Sequence, residues 1–173
     1  LEVARAEAPP TVTYVRHDAR DLPFRGEFDV VLSICQGAFG LAGGPATEAG
    51  GSTAGLDPDV EILAGMARAV RPGGHVVFTA FNAYLQVAHL LEGHEFDAER
   101  GVHRETTEIR SPEGVAATTD LWTTCFTPRE LRLACERVGL VVESLGSVEP
   151  GDWSSRPPTV DSPEFLVVAS ASL

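Results

Sequence analysis

Polar side chains follow several predicted strands of this sequence. Asp18 comes after a short β-rich run, whereas Cys35 and Asn82 come after longer apolar runs. Because open parallel sheets bind ligands at the carboxyl ends of their strands, we expect these three residues to share one functional edge. A general base is also needed if an alcohol, phenol or ammonium group is to react as a nucleophile. The side chains that could serve are Tyr84, His89, His94, His103 and Glu105.

The sequence does not rank these five bases, since a lone histidine is more often a surface or structural residue. His103 and Trp122 lie on a predicted hairpin that we expect to roof the pocket. Trp122 could lie against an apolar acceptor, although core filling is the slightly favoured alternative. Phe39, between two glycines that permit close backbone approach, is equally open to a substrate contact or a core position.

Composition excludes several classes of protein. The chain has 173 residues and a net charge of −12, with its basic residues scattered, so nucleic acid is not an expected partner. All 13 basic residues are Arg, which excludes a Schiff-base lysine and a P-loop lysine and suggests a high-GC bacterial genome. No apolar stretch is long enough for a membrane span and no signal peptide is visible, so we expect no membrane partner and a cytoplasmic location.

Neither the cysteines nor the acidic residues predict a metal site. Cys35, Cys125 and Cys135 lack paired metal-ligand spacing and are interpreted as reduced, buried thiols. The carboxylates between 92 and 99 show no recurring ligand spacing and are interpreted as a solvated face.

Local signals in the first half predict alternating strands and helices. A helix at 1–8 is followed by a strand at 12–16, and a nearly continuous apolar run predicts a central strand at 28–34, covered on both faces. Asp57 as N-cap and Pro58 at the first position predict a helix. It ends before Pro72-Gly73-Gly74 and leads to a strand at 75–80, as in a parallel crossover. The Gly-rich segment 40–55 is predicted to be a mobile loop.

The second half adds a hairpin, a helix and two strands. Asn82 caps a predicted short helix that continues to Leu91. Alternating β-formers predict an antiparallel hairpin over 102–125. Thr127-Pro128-Arg129-Glu130 forms a capping box that opens a helix, and Gly139 closes it. Apolar runs at 140–145 and 164–169 predict an antiparallel last pair of strands.

The order of these pieces resembles the class I S-adenosylmethionine-dependent methyltransferase family. The matching pieces are a strand, Asp-Ala-x-x-Leu-Pro-Phe, a strand beginning Phe-Asp-Val-Val, a helix ending Arg-Pro-Gly-Gly, and a further buried strand. The resemblance implies an α/β fold, a doubly wound and mostly parallel sheet with an antiparallel last pair and the added hairpin. It also implies one domain over 1–173, with 102–125 as a lid. The family's glycine-rich loop is not in the sequence, so we expect an N-terminally truncated chain.

The resemblance also implies a cofactor and a function. S-adenosylmethionine would be bound by Asp18, whose carboxylate would accept a hydrogen bond from the adenine amino group, and by the Ala19 N–H. The Cys35-Gln36-Gly37 segment would contact its methionine end. The alternative for Asp18 is a loop carboxylate that accepts hydrogen bonds from nearby backbone amides. The implied function is methyl transfer to a small-molecule substrate. The residues expected to face that substrate are Phe39, Asn82, Tyr84, His103 and Trp122. No residue is assigned as catalytic, because methyl transfer depends largely on alignment.

Two other function classes are weighed. A non-catalytic binding or interaction module that keeps the fold without the cofactor would explain the absent glycine-rich loop. A nicotinamide-dependent oxidoreductase shares the sheet, but the chain lacks a Tyr-x-x-x-Lys pair. The acceptor and the oligomeric state stay open, with a homodimer as one alternative.

Overall fold

The computed structural model describes residues 1–35, 37–44 and 57–172, which contain four α-helices and eight strands. The helices are α1 (Glu2–Glu7), α2 (Pro58–Ala69), α3 (Ala83–Ala88) and α4 (Pro128–Arg137), and a 3-10 turn spans Ala19–Asp21. The strands are β1 (Phe28–Ser33), β2 (Val70–Asn82), β3 (Glu95–Asp97), β4 (Val102–Arg110), β5 (Ala116–Phe126), β6 (Leu140–Glu149), β7 (Asp152–Arg156) and β8 (Glu164–Ala171).

The local capping signals predicted the helices correctly. The Asp57 side chain accepts the N–H of Asp59 and Pro58 opens α2. The Thr127 hydroxyl accepts the N–H of Glu130, whose carboxylate accepts the N–H of Thr127, so the capping box of α4 is complete. Asn82 caps α3 as predicted, although that helix ends at Ala88 and not at Leu91. Short-range hydrogen bonds fix these boundaries, which is why they could be predicted locally.

The strands form one mixed sheet of eight, in the order β3-β4-β5-β2-β8-β6-β7, with β1 also beside β2. The prediction of a mostly parallel sheet is corrected: among the described residues β2 runs parallel to β1 and β5, and the other pairings are antiparallel. The predicted antiparallel last pair is confirmed as β6 and β8. The predicted connection between them contains an additional strand, β7, that pairs with β6.

The expectation that β1 is a central strand covered on both faces is wrong within the described residues. It pairs with β2 alone, and the exposed fraction of Leu32 is 62%. Residues 12–16 form no strand, although a β-rich strand was predicted there. A strand forms only where its backbone groups find a partner, and the described residues place no strand against segment 12–16 or against the outer edge of β1.

The core lies between one face of the sheet and helices α2 and α4. Phe39 packs edge-on against Phe78, with ring centroids 4.7 Å apart, and stacks on Phe126 at 4.8 Å. Leu63 of α2 and Leu131 of α4 are fully buried in the same cluster. In β8 the buried residues alternate, as expected of a strand with one packed face. No helix among the described residues has the length and apolar character of a membrane span.

Candidate functional site

The carboxyl ends of β1 and β2 are joined directly. The backbone N–H of Cys35 donates to the Thr79 hydroxyl at 3.0 Å, and Thr79 is fully buried. Cys35 is exposed and has a left-handed backbone with φ of 54°, which a residue other than glycine adopts only at some cost. Such strain is concentrated at functional turns, so the turn after β1 is the first component of the site.

The thiols differ from one another. Cys35 is exposed, so the interpretation of three buried thiols is wrong for that residue. Cys125 and Cys135 are buried, and burial raises the pKa of these thiols to about 12 and about 11. Neither buried thiol forms a thiolate nucleophile at neutral pH.

Asp18 lies in an exposed turn that it caps itself. Its carboxylate accepts the Arg20 N–H at 2.9 Å and pairs with the Arg20 guanidinium at 2.7 Å. These hydrogen bonds from Arg20 hold the pKa of Asp18 down at about 2, so the side chain is anionic at neutral pH. The turn sits on α2 at Gly65, where an added Cβ would lie 3.2 Å from the Ala19 carbonyl oxygen. Ala19 opens the turn, and the first N–H groups of a helical turn have no partner within it.

Asp59 is a buried carboxylate that the sequence analysis did not single out. It is 1% exposed, and it accepts the N–H of Gly40 at 2.7 Å and the hydroxyl of Thr124 at 2.6 Å. Burial is the main cause that raises its pKa. An Asp in the first turn of a helix normally faces solvent, so only distant partners, Gly40 and Thr124 among them, could have revealed its burial.

Two predicted substrate residues are structural. Phe39 is fully buried between two phenylalanines, so the core alternative describes it and the predicted substrate contact is corrected. Asn82 is also fully buried: its amide N–H groups donate to the carbonyls of Val160 and Ser162, both at 2.9 Å, while its oxygen accepts the N–H of Tyr84. The Asn82 side chain therefore fastens the end of β2 to a later loop and has no surface to offer a substrate.

The predicted hairpin of β4 and β5 brings three of the five candidate bases together. His94 Nδ1 lies 3.1 Å from His103 Nε2 and 3.8 Å from a Glu105 carboxylate oxygen. Burial lowers the pKa of His103, so its ring is neutral at pH 7. Tyr84 is exposed on α3, and His89 is exposed at the end of that helix, apart from this group.

Trp122 lies on the opposite face of the hairpin from His103. The Arg104 guanidinium lies 5.5 Å from the Trp122 ring centroid and pairs with Asp120 at 2.9 Å. Gly37 is exposed in the turn after β1, and Gln36 lies outside the described residues. Trp122, Tyr84 and Gly37 therefore remain predicted contacts.

A cavity lies between the start of α2, the end of β5 and α4. Its volume is about 360 Å³, within the range of small-molecule pockets. Its lining includes Val60, Arg100, Phe126 and Leu133. An adjoining cavity of about 330 Å³ reaches Ala42 and Gly43, on the loop that follows β1. Ala42 and Gly43, which follow Cys35 by seven and eight residues, thus line a cavity of ligand size.

Comparisons with known proteins establish the fold. No family model and no curated protein match the sequence. The CcbJ methyltransferase from Streptomyces caelestis superposes with a TM-score of 0.68 at 18% identity, covering 99% of this chain and 69% of that one. An S-adenosylmethionine-dependent methyltransferase from Clostridium acetobutylicum superposes with a TM-score of 0.63 at 10% identity, and the match covers 92% of this chain and 64% of that one.

A third structure is the glycopeptide N-methyltransferase MtfA with S-adenosylmethionine, which gives 0.55 at 19% identity, covering 99% of this chain and 67% of that one. The chain therefore spans about two thirds of the length of these proteins. The identities are low, so the likeness concerns the arrangement of the backbone. This chain has the fold of the class I S-adenosylmethionine-dependent methyltransferases.

Proposed function

We propose that the protein transfers a methyl group from S-adenosylmethionine to a small-molecule acceptor. The observation that carries the proposal is the turn after β1, where the strained Cys35 is tied to Thr79 at the carboxyl ends of two parallel strands. Ligands of open α/β sheets bind at such an edge. The fold shared with methyltransferases supports the choice of cofactor.

The residues present fit the cofactor in their chemistry. Asp18 is an exposed anion, and a carboxylate has about four lone-pair sites, so it can accept the adenine amino group while paired with Arg20. Ala19 would present its N–H to the adenine ring, and the exposed turn at Cys35 and Gly37 would lie along the methionine end. When bound, S-adenosylmethionine supplies an electrophilic methyl group on a sulfonium.

The chain's own contribution would be to hold and align the reactants. The cavity of about 360 Å³ has room for a small acceptor, and Phe126 and Leu133 would give that acceptor an apolar surface to pack against. The hairpin of β4 and β5 would act as the lid. Alignment alone can supply a large part of such a rate acceleration, by about 7–11 kcal/mol in favourable cases.

Titration of the full-length protein with S-adenosylmethionine tests the proposal. Wild-type protein should bind one equivalent, and Asp18→Ala should bind about 10-fold to 100-fold more weakly, since a hydrogen bond to a charged group contributes about 1.5–3 kcal/mol. Arg20→Ala is the matched control: it breaks the ion pair but keeps the carboxylate, and should bind like wild type. Asp21→Ala, in the same turn, should also be neutral.

Absence of binding by the folded wild-type protein would refute the proposal and favour the non-catalytic binding module. Equal weakening by Asp18→Ala and Arg20→Ala would show that the turn, and not the carboxylate, matters. Detection of S-adenosylhomocysteine on incubation with a library of small alcohols, phenols and amines would then identify the acceptor class.

A further inference from the structure

The strand register gathers three metal-ligand side chains on one face of the hairpin. His103 and Glu105 are two residues apart on β4, so both side chains point to the same face. Glu95 pairs with Arg104 in the antiparallel β3–β4 ladder, which sets His94 opposite Glu105. This pattern is His-x-Glu on β4 with a histidine immediately before the paired strand β3, and it does not involve the turn after β1.

The distances suit a shared ion. His94 Nδ1 and His103 Nε2 are 3.1 Å apart, His94 Nδ1 and the Glu105 oxygen are 3.8 Å apart, and the three ligand atoms lie within 4.8 Å of one another. Ligands at about 2.0–2.1 Å in a tetrahedral zinc site lie about 3.3–3.4 Å apart, close to the spacing of the two ring nitrogens. A hydrogen bond between the two imidazole rings would also explain the 3.1 Å distance, but it would leave the Glu105 carboxylate without a hydrogen bond to either ring.

The three ligand side chains are partly buried, and they lie on the face of the hairpin opposite Arg104. His103 is 6% exposed, and the side chains of His94 and Glu105 are 20% and 33% exposed, so the group is walled on one side and open on the other. The neighbouring cation Arg104 points to the opposite face, where it pairs with Glu95 and Asp120. Two histidine imidazoles and a carboxylate that leave a coordination position open are a ligand set used for zinc and other divalent transition metals.

We propose that His94, His103 and Glu105 bind one divalent transition-metal ion through Nδ1, Nε2 and a carboxylate oxygen. The remaining coordination position takes water or an oxygen or nitrogen donor of a ligand. The ion joins the segment before β3 to the hairpin. This inference does not rest on methyl transfer, because the three ligands are outside the edge formed by β1 and β2.

The test uses full-length protein that has been treated with a chelator and contains no S-adenosylmethionine. Calorimetric titration with Zn²⁺ should give one equivalent, and Co²⁺ should give the visible absorption of a four- or five-coordinate ion. Glu105→Gln and His94→Ala should each weaken binding by more than the ~10–100-fold that loss of a second-shell group costs. His103→Ala should abolish stoichiometric binding.

Matched controls come from other histidines of the chain. His75 lies 3.4 Å from Glu143 on the surface and has a carboxylate partner without the second imidazole, while His89 is exposed. Both His75→Ala and His89→Ala should bind Zn²⁺ like wild type. Because His103 is buried and its loss can unfold the hairpin, the decision rests on the partly exposed His94 and the isosteric Glu105→Gln, with circular dichroism to show that they are folded.

Two results would overturn the proposal. One is wild-type protein that takes up no equivalent of Zn²⁺ or Co²⁺, which would make the contact of the two rings a simple hydrogen bond. The other is folded His94→Ala and Glu105→Gln protein with wild-type affinity. Because the titrations contain no cofactor, failure here leaves the test of methyl transfer unaffected.

Discussion

Replacing Asp59 perturbs a buried carboxylate that holds two other elements in place. Asp59→Ala removes the acceptor of the Gly40 N–H and of the Thr124 hydroxyl. Both donor residues are buried, and Thr124 is 5% exposed, so water cannot readily replace the lost acceptor. An orphaned buried donor costs about 1–3 kcal/mol, so two of them cost about 2–6 kcal/mol. Removing the buried carboxylate also removes its desolvation penalty, which offsets part of this cost. We therefore expect Asp59→Ala to lower the free energy of unfolding by about 2–4 kcal/mol.

Asp59→Asn separates shape from charge. The amide oxygen can still accept the Gly40 N–H, and the amide N–H can donate to the Thr124 hydroxyl, which accepts as well as donates. We therefore expect a loss of about 1 kcal/mol at neutral pH, smaller than that of Asp59→Ala.

The pH dependence of Asp59→Asn has a defined sign. Burial raises the pKa of Asp59 in the folded protein, so the folded state holds its proton longer than the unfolded chain as pH rises. The stability that Asp59 contributes is therefore greatest below its pKa in the unfolded chain, about 3.9, and it falls as pH rises through the pKa of the folded protein. The asparagine cannot titrate, so the stability gap between wild type and Asp59→Asn should narrow from pH 4 towards pH 7.

Urea unfolding followed by circular dichroism, at several pH values, measures both effects. Asp57→Ala is the matched control, because it lies two residues earlier and removes the ordinary α2 N-cap, which costs about 1 kcal/mol. Parallel pH curves for wild type and Asp59→Asn, or an Asp59→Ala protein within about 0.5 kcal/mol of wild type, would refute the assigned burial and hydrogen bonds.

Two further predictions concern other polar anchors. Asn82→Ala should lower the free energy of unfolding by about 2–3 kcal/mol, because it removes the hydrogen-bond donors to the carbonyls of Val160 and Ser162. Asn82→Asp should lower it further, because its carboxylate would face those carbonyl oxygens. Urea unfolding measures both effects, and equal stability of all three proteins would contradict the assigned hydrogen bonds. Asp18→Asn should change stability by less than about 1 kcal/mol at pH 7, since the two paired side chains are 46% and 49% exposed. The contribution of Asp18 to stability is present above about pH 4 and is lost as pH falls through the folded pKa of about 2. The melting temperatures of wild type and Asp18→Asn should therefore converge in acid. A difference that stays constant with pH would count against the ion pair.

Local signals predicted the elements well, because caps and turns act over a few residues. The capping box at Thr127 and Glu130 and the cap at Asn82 are made by neighbours in sequence. Sheet order and coverage depend on distant partners, so β1 was expected to be covered and segment 12–16 to pair. An apolar run indicates that a strand can be buried, but it does not indicate which other strands pair with it.

The candidate site was predictable to the same extent. The position of the Cys35 turn was predictable because it follows a recognisable strand, and its role in binding stays a prediction. Asp59 was missed because a first-turn Asp looks like an ordinary helix start, and its burial depends on Thr124, 65 residues away. Alternation along β4 places His103 beside Glu105, whereas the position of His94 depends on the register of β3, which no local signal sets.

The loop after β1 is held by side chains from several elements, and this determines how the site responds to change. Ser33 at the end of β1 accepts the N–H of Phe39, Asp59 of α2 accepts that of Gly40, and Arg100, just before β4, donates to the carbonyls of Gly43 and Gly44. At Gly43 an added Cβ would lie 2.8 Å from the Thr124 hydroxyl, so the hairpin fits directly against the loop backbone. Residues 39–44 of the loop therefore cannot move without disturbing α2 or the hairpin. An altered hairpin should therefore change the geometry of the turn after β1, even when no residue of that turn is replaced.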